Sequence, residues 1–442
     1  MPSKLQWAYR EFGLSSVRDT GSDAFLVILA RSSRMFAYGA NSIFIPLFFS
    51  SLHFSDFRIG LFMSLTLAGD VLLTLALTLV ADRVGRRRSL LFGSFLMVCS
   101  GITFMISEHY WVLLLAAIVG VISSSGGDFG PFRAIEESIL SQITTLESRS
   151  NVLSWYVTTA SFGSAIGTEI AGRTIHALKG SAGWTEVDAY HAIFGLYVVF
   201  GIVNMGCALF LSERTELEDP TKEGEDGILL ESVEEEETDQ KDTPKPSRLA
   251  QLSPKTRSVM FKLWPLLAVD SMADGMVNYS LTAYYMTEKF AMTAATLGDI
   301  TSISYFLAAI STIFAGPLAN RIGLINTMVF THVPSSSAVL LFPASSSLVL
   351  TITLFFIRTG LNNMDQAPRA AFIAAVVPAS ERTAVNGITS MLRTLASTLG
   401  PTLTGGLAEH KHFGVAFVAA GTLRLAYDFG LWALLGSVKI EE

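Results

Sequence analysis

The strongest constraint on this chain is a recurrence: apolar stretches about twenty residues long, parted by short polar turns, run from near Ala24 almost to the end. The windows lie near 24–50, 59–80, 89–107, 110–132, 150–172 and 190–212, then, after a polar interval, near 260–287, 296–319, 325–345, 347–371, 384–408 and 412–437. A hydrocarbon core about 30 Å thick is crossed by roughly 20 residues of helix, so each window can span it. Helices satisfy every backbone polar group within one segment, which makes the expected fold an all-α integral membrane protein with 12 transmembrane helices. Only 16% of the 442 residues are charged, against about 25% in soluble domains, and the spans leave no room for a large soluble catalytic domain. The first apolar run is longer than a signal-peptide core, so insertion is expected to rely on the first span itself.

Basic residues orient the spans. Arg83, Arg86, Arg87 and Arg88 follow the second window, and Lys241, Lys245, Arg248, Lys255 and Arg257 lie between the two sets of six. That side is expected to be cytoplasmic, with both termini on it. The net charge of -7 comes mostly from Glu213 to Asp242. Residues 214–257 therefore read as an acidic cytoplasmic linker, too poor in apolar residues to bury a core and expected to be disordered to about residue 255. It divides an N-terminal half, 1–213, from a C-terminal half, 258–442. Cys99 and Cys207 fall in apolar windows and read as packing residues.

The halves repeat. LVADRVG (79–85) matches PLANRIG (317–323) at a shift of 238 residues, and the same shift puts Gly60, opening the second span, on Gly298, opening the eighth. Asp128-x-x-Pro131 and Asp365-x-x-Pro368 correspond with the offset drifted by one, and turns containing Glu147 and Glu381 follow them. Two parallel six-helix repeats, related by an axis along the membrane normal, place a shared cavity between them.

ADRVGRRR (81–88) closely resembles the loop motif of the major facilitator superfamily, G-x-x-x-D-R-x-G-R-R, with Thr78 where the motif has its leading glycine. LAGDVLLTLALTLVADRVGRRR and NRIGLINTMVFTHVP look like an uncharacterised or drug-efflux-like branch of it. The resemblance covers the whole chain through the repeat. It implies a secondary transporter that alternates access by rocking its halves, with Asp82 latching the cytoplasmic gate against a helix of the other half. Arg83, Gly85 and Arg86, with the counterparts Asn320, Arg321 and Gly323, complete the expected gate motif. A carboxylate near a positive helix end gains up to about a kcal/mol when exposed, a size suited to a latch that must reopen. The antiport-associated motif is partly present in ASFGSAIGTEIAG (160–172), and its repeat partner ASTLGPTLTGG (396–406) holds Gly400-Pro401, which points to export.

An ionised group at the bilayer centre costs at least about 2.5–3.5 kcal/mol on insertion scales, so charges within the spans mark candidate sites. Asp270, Asp274 and Asn278 recur every four residues and share one face of the seventh span. Two carboxylates one turn apart resist double ionisation, as a proton carrier requires. Arg358, Asn362, Asp365 and Arg369 form a stripe on the tenth span, and Arg34 and Asp70 lie near mid-depth in the first and second. The first and seventh spans line the cavity in the family, so Arg34 with Asp270 or Asp274 is the expected cross-cavity pair. Glu169 with Arg173, and Arg424 with Asp428, read as self-satisfied i,i+4 pairs. Arg133, Glu136 and Glu137 read as gate or snorkelling groups, and His332 as a packing histidine. Phe36, Tyr38, Tyr279, Tyr284, Tyr285 and Tyr305 divide between a cavity wall and packing.

These features predict proton-coupled export of a small organic solute, with the bilayer, the solute and protons as partners, by a monomer in the plasma membrane. Two readings stay open: a proton-coupled importer, and a facilitator-fold ligand sensor whose acidic linker carries the output. A Gly-rich phosphate loop, metal-ligand spacing and a nucleophile elbow are missing, so no enzyme, metal, cofactor, nucleic acid or ATP-driven pump is expected.

Overall fold

A computed structural model describes residues 14–122, 131–216, 253–378 and 381–435, and every regular element among them is a helix. A short α1 (Leu14–Thr20) precedes a first span built from α2 (Ser22–Ser42) and α3 (Ile45–Ser51). The second and third spans are α4 (Asp56–Val84) and α5 (Arg86–Ile106), and the fourth comprises α6 (Tyr110–Val119) and α7 (Pro131–Ile143). The fifth is α8 (Leu146–Lys179) and the sixth α9 (Glu186–Phe210). In the second half, α10 (Pro254–Met276) and α11 (Tyr279–Phe290) form the seventh span, α12 (Ala294–Ile322) the eighth and α13 (Leu324–Leu341) the ninth. The tenth joins α14 (Leu348–Asn362), a 3-10 turn (Asn363–Asp365) and α15 (Gln366–Val376), and α16 (Arg382–Glu409) and α17 (Phe413–Leu435) finish the set. This is the expected fold of 12 spans in two six-helix halves. Five of the helices are long and apolar enough to cross a membrane on length and composition alone; several others carry the polar residues flagged above.

Local chemistry sets the helix ends. Thr185 and Asp188 form a reciprocal capping box at the start of α9, and Ser253, Asn278 and Thr293 accept backbone N–H bonds at the starts of α10, α11 and α12. The repeated glycines of LVADRVG and PLANRIG have the same unusual backbone: Gly85 has φ 100° and Gly323 φ 89°. Both turn the chain directly into the next helix, in a conformation that side-chain-bearing residues rarely adopt.

The packing repeats as the sequence does. Helix α2 packs on α8 and α9 as α10 packs on α16 and α17, and α5 packs on α9 as α13 packs on α17. Between halves, α4 meets α16 and α8 meets α12. The repeat glycines sit at both crossings. A Cβ on Gly60 would overlap the Pro401 carbonyl oxygen and approach Gly405 within 3.0 Å, while one on Gly298 would lie 3.2 Å from Gly172. Large apolar side chains such as Phe92, Leu115, Ile202, Ile313 and Phe429 face outward, as a hydrocarbon surround permits. The linker's expected disorder falls mainly on 217–252, which lie outside the described residues; at its edges Glu213–Thr215 forms a 3-10 turn and Ser253 caps α10.

Candidate functional site

A cavity of about 890 Å³ lies between the halves. It is lined from Leu67 to Leu75 on α4, from Val157 to Ser164 on α8 and from Tyr305 to Thr312 on α12, the middle parts of those helices, and beyond them by Arg133 and Glu137 on α7, Gln366 and Arg369 on α15 and Gly387 to Ser397 in the earlier part of α16. The cavity therefore runs from mid-depth toward the end that carries the Val84–Arg86 turn and the linker. At the opposite end the halves are closed on each other. The glycine crossings lie there, Tyr284 donates to Asp56 Oδ1 at 2.6 Å, and Arg173 bonds Asp299 at 2.9 Å as well as Glu169.

Among the spans that line the cavity, the seventh is broken at mid-depth. It stops at Met276 and restarts after Asn278, whose side chain accepts from Leu281 N–H at 2.9 Å. The carbonyls released by the break find partners: Thr404 donates to Met276 O at 2.7 Å, and Thr282 and Arg358 donate to Val277 O. Irregular backbone at membrane depth is tolerated where a cavity or protein satisfies it, and such breaks commonly frame solute sites.

The second half holds a linked network of buried charge around His332. Arg424 donates to Asp274 Oδ1 at 2.8 Å, to His332 Nε2 at 2.7 Å and to Asn362. His332 Nδ1 lies 2.7 Å from Asp428 Oδ1, and Ser336 donates to the other oxygen of Asp428 at 2.8 Å. With Nε2 accepting from Arg424, the partners favour a neutral imidazole carrying its proton on Nδ1. Asp270 Oδ1 stands 3.7 Å from His332 Nε2, buried and without a hydrogen-bond donor. Arg358 lies 3.8 Å from Asp274 and bonds Thr282 at 2.9 Å; Arg369 bonds Asp365 at 2.7 Å. Asp274 is half exposed to the cavity.

The structure thus brings Asp270, Asp274, Asn278, Arg358, Asn362 and Asp365 to one cavity wall and sets Asp70 on the facing half. Arg34 is a correction. It does not cross the cavity to Asp270 or Asp274 but makes a bidentate pair with Glu136 at 2.7 Å, wholly buried in its own half, with Tyr156 donating to Glu136 at 2.8 Å. The fourth span turns Glu136 inward, so Glu136 is neither a gate nor a snorkelling group. Asp365 and Arg358 likewise pair within their own half rather than across. Arg424 and Asp428 are not paired with each other either, because the ring of His332 stands between α13 and α17 and takes both as partners. His332 packs edge-on against Tyr427, yet it is also a cavity residue at the centre of this network. Glu169 and Arg173 do pair, with Asp299 added across the halves. Of the six aromatics, Tyr279 and Tyr305 line the cavity, stacked at 5.1 Å; Phe36, Tyr38, Tyr284 and Tyr285 pack elsewhere, for instance Tyr38 on Tyr197 and Tyr285 on Phe417.

At the gate motif, the side chains of Asp82 and Arg83 lie outside the described residues. Arg86 turns into its own half, bonding Gln142 at 2.6 Å, while the N–H groups of Arg86 and Arg87 hold the Glu216 carboxylate at 2.7 and 3.1 Å. Asn320, Arg321 and Gly323 are exposed. Sequence reasoning missed Glu216 because its partner turn is 130 residues away.

A cavity between two repeats, open at one end, closed at the other and flanked by a broken helix, defines a polytopic membrane transporter. A family model described as Major Facilitator Superfamily matches residues 27–269 and 263–439. An uncharacterised membrane protein of Saccharomyces cerevisiae, YJR124C, is 32% identical over 402 residues, 89% of this chain and 90% of its own. In structure, the nucleoside transporter NupG superposes with a TM-score of 0.70 at 12% identity, over 95% of this chain and all of that one. A D-xylose-proton symporter does so with a TM-score of 0.68 at 13% identity, over 92% and 97%. The chain belongs to the Major Facilitator Superfamily, and as such it is a transporter of small molecules and not an enzyme.

Proposed function

We propose that the chain is a proton-coupled secondary transporter that exports a small organic solute by alternating access, with the linker end of the cavity facing the cytoplasm, most simply as a monomer in the plasma membrane. Asp270, Asp274, Asn278, Arg358, Asn362 and Asp365 form the solute and proton pathway, faced by Asp70. Arg34 contributes by holding the fourth span against the first. The observation that carries the coupling is Asp270, a buried cavity carboxylate with no guanidinium in ion-pair range among the described residues, set 3.7 Å from His332. A proton can join or leave this carboxylate without breaking a bond to an arginine among the described residues. The charged groups around it are Arg424 and Asp428 on α17, Arg369 on α15 and Arg393 on α16. Export is supported by Gly400-Pro401, in which the Pro401 carbonyl meets Gly60 and Gly400 lies against the Gly275–Met276 backbone. The gate motif and the division at 214–257 complete the reading, with the linker as a tether.

The test is Asp270→Asn with Asp274→Asn. Solute movement driven by a pH gradient should vanish while the protein remains folded in the membrane; unchanged pH-driven movement would remove the proton role. The sensor reading predicts that deleting residues 216–250 silences a signal, whereas a transporter keeps its flux without them.

A further inference from the structure

Arg393 differs from four other arginines of the cavity wall, Arg133, Arg358, Arg369 and Arg424. Arg133 pairs with Glu137, Arg369 with Asp365, and both Arg358 and Arg424 with Asp274. Arg393 has no carboxylate in ion-pair range among the described residues; its Nε donates to Ser271 Oγ at 3.0 Å and its two terminal nitrogens are left over. That bond ties the side chain to α10, and Arg393 is part of the cavity wall. A guanidinium fork matches the two oxygens of a carboxylate or phosphate and presents both N–H groups at once. Nearby wall chemistry adds an apolar surface, the stacked Tyr279 and Tyr305, and an amide donor, Asn278 Nδ2, buried and without a partner. The volume of about 890 Å³ suits a molecule of small-metabolite or drug size.

We propose that the solute is an organic anion whose acid group docks on Arg393, with Ser271 as the positioning residue and an apolar or aromatic body toward Tyr279 and Tyr305. The inference rests on the reading of this cavity as the solute pathway. Neutral and cationic solutes of the same shape are then disfavoured, since they offer the fork no pair of anionic oxygens to bond.

The test uses the purified full-length chain in detergent and titration calorimetry with four probes of one shape: benzoate, phenyl phosphate, benzamide and benzylamine. At least one of the two acids should bind at least tenfold tighter than benzamide and benzylamine, and the acid that wins decides between a carboxylate and a phosphate. Arg393→Gln should erase that preference, Ser271→Ala should weaken it severalfold, and Arg393→Lys, which keeps the charge but not the fork, should keep only part of it. Arg393→Lys carries the test if the glutamine variant does not elute as folded protein. Equal binding of benzamide or benzylamine, or acid affinity unchanged in Arg393→Gln and Arg393→Lys, would overturn the proposal. Flux of the bound acid into proteoliposomes is measured separately: binding without flux leaves the anion site standing and removes the transport reading instead.

Discussion

Arg34 and Glu136 share a bidentate bond with both side chains buried, and in such a setting removing one partner strands a charge. Arg34→Met or Glu136→Gln is expected to cost about 3–5 kcal/mol of stability, and Arg34→Met with Glu136→Met to recover most of it, as thermal unfolding of the purified variants would show. A double variant as unstable as the singles would mean that the pair is not the source of the loss. Outside the spans, Glu381 accepts from the Thr256 side chain and from Ser253, and these bonds hold its carboxyl below the ordinary value of 4.5. A lowered value in the folded state contributes stability at pH above 4.5 that is lost as pH falls through it. The gap in unfolding temperature between wild type and Glu381→Ala should therefore shrink on acidification. At this scale the sequence was readable for which residues are unusual and much less for whom they meet. Asp270, Asp274 and Asn278 announce one face by their spacing, but Arg34 chose Glu136 at a separation of 102 residues, and no periodicity encodes that.

Elements end where local chemistry says they should, and those ends tie distant segments together. The Glu216 carboxylate sits on the first two N–H groups of α5 while Gln142 bonds the carbonyls of Arg214 and Glu216, so the entry to the linker is fastened to the turn after the second span. A charged cap of this kind is worth about 0.5–2 kcal/mol, and Glu216→Ala should lose that amount by thermal unfolding without changing the cavity. The turn glycines Gly85 and Gly323 were legible because a repeated Gly at a helix start has few other meanings. The break after Met276 was not, since its window reads as continuous apolar helix and the bonds that stabilise it come from Arg358 and Thr404 on other spans.

The two-fold likeness of the halves was the most legible property of the whole molecule: Gly60 and Gly298, related by one shift in sequence, meet Gly405 and Gly172 at equivalent crossings. Bulk at these points opposes closure of the end away from the linker. Gly60→Leu is expected to shift the protein toward the state open at that end, read as faster labelling of a cysteine placed at Ser55, which in the wild type lies beside Glu409 across the halves. Labelling no faster than in the wild type background would argue that this crossing does not set the equilibrium. Which charges lie on which cavity wall could not be read from the sequence, because a helix face points toward a cavity only after its neighbours are placed.

The central claim is that this cavity moves a solute with a proton through Asp270 and Asp274. The most direct measurement is an untargeted mass-spectrometric comparison of cells and medium for wild type and the Asp270→Asn, Asp274→Asn variant at matched surface expression. The account predicts a compound depleted inside and enriched outside with the wild type alone. A compound moved equally by wild type and variant, or drawn inward by the wild type, would contradict it, the first by removing the carboxylates from the coupling and the second by reversing the direction.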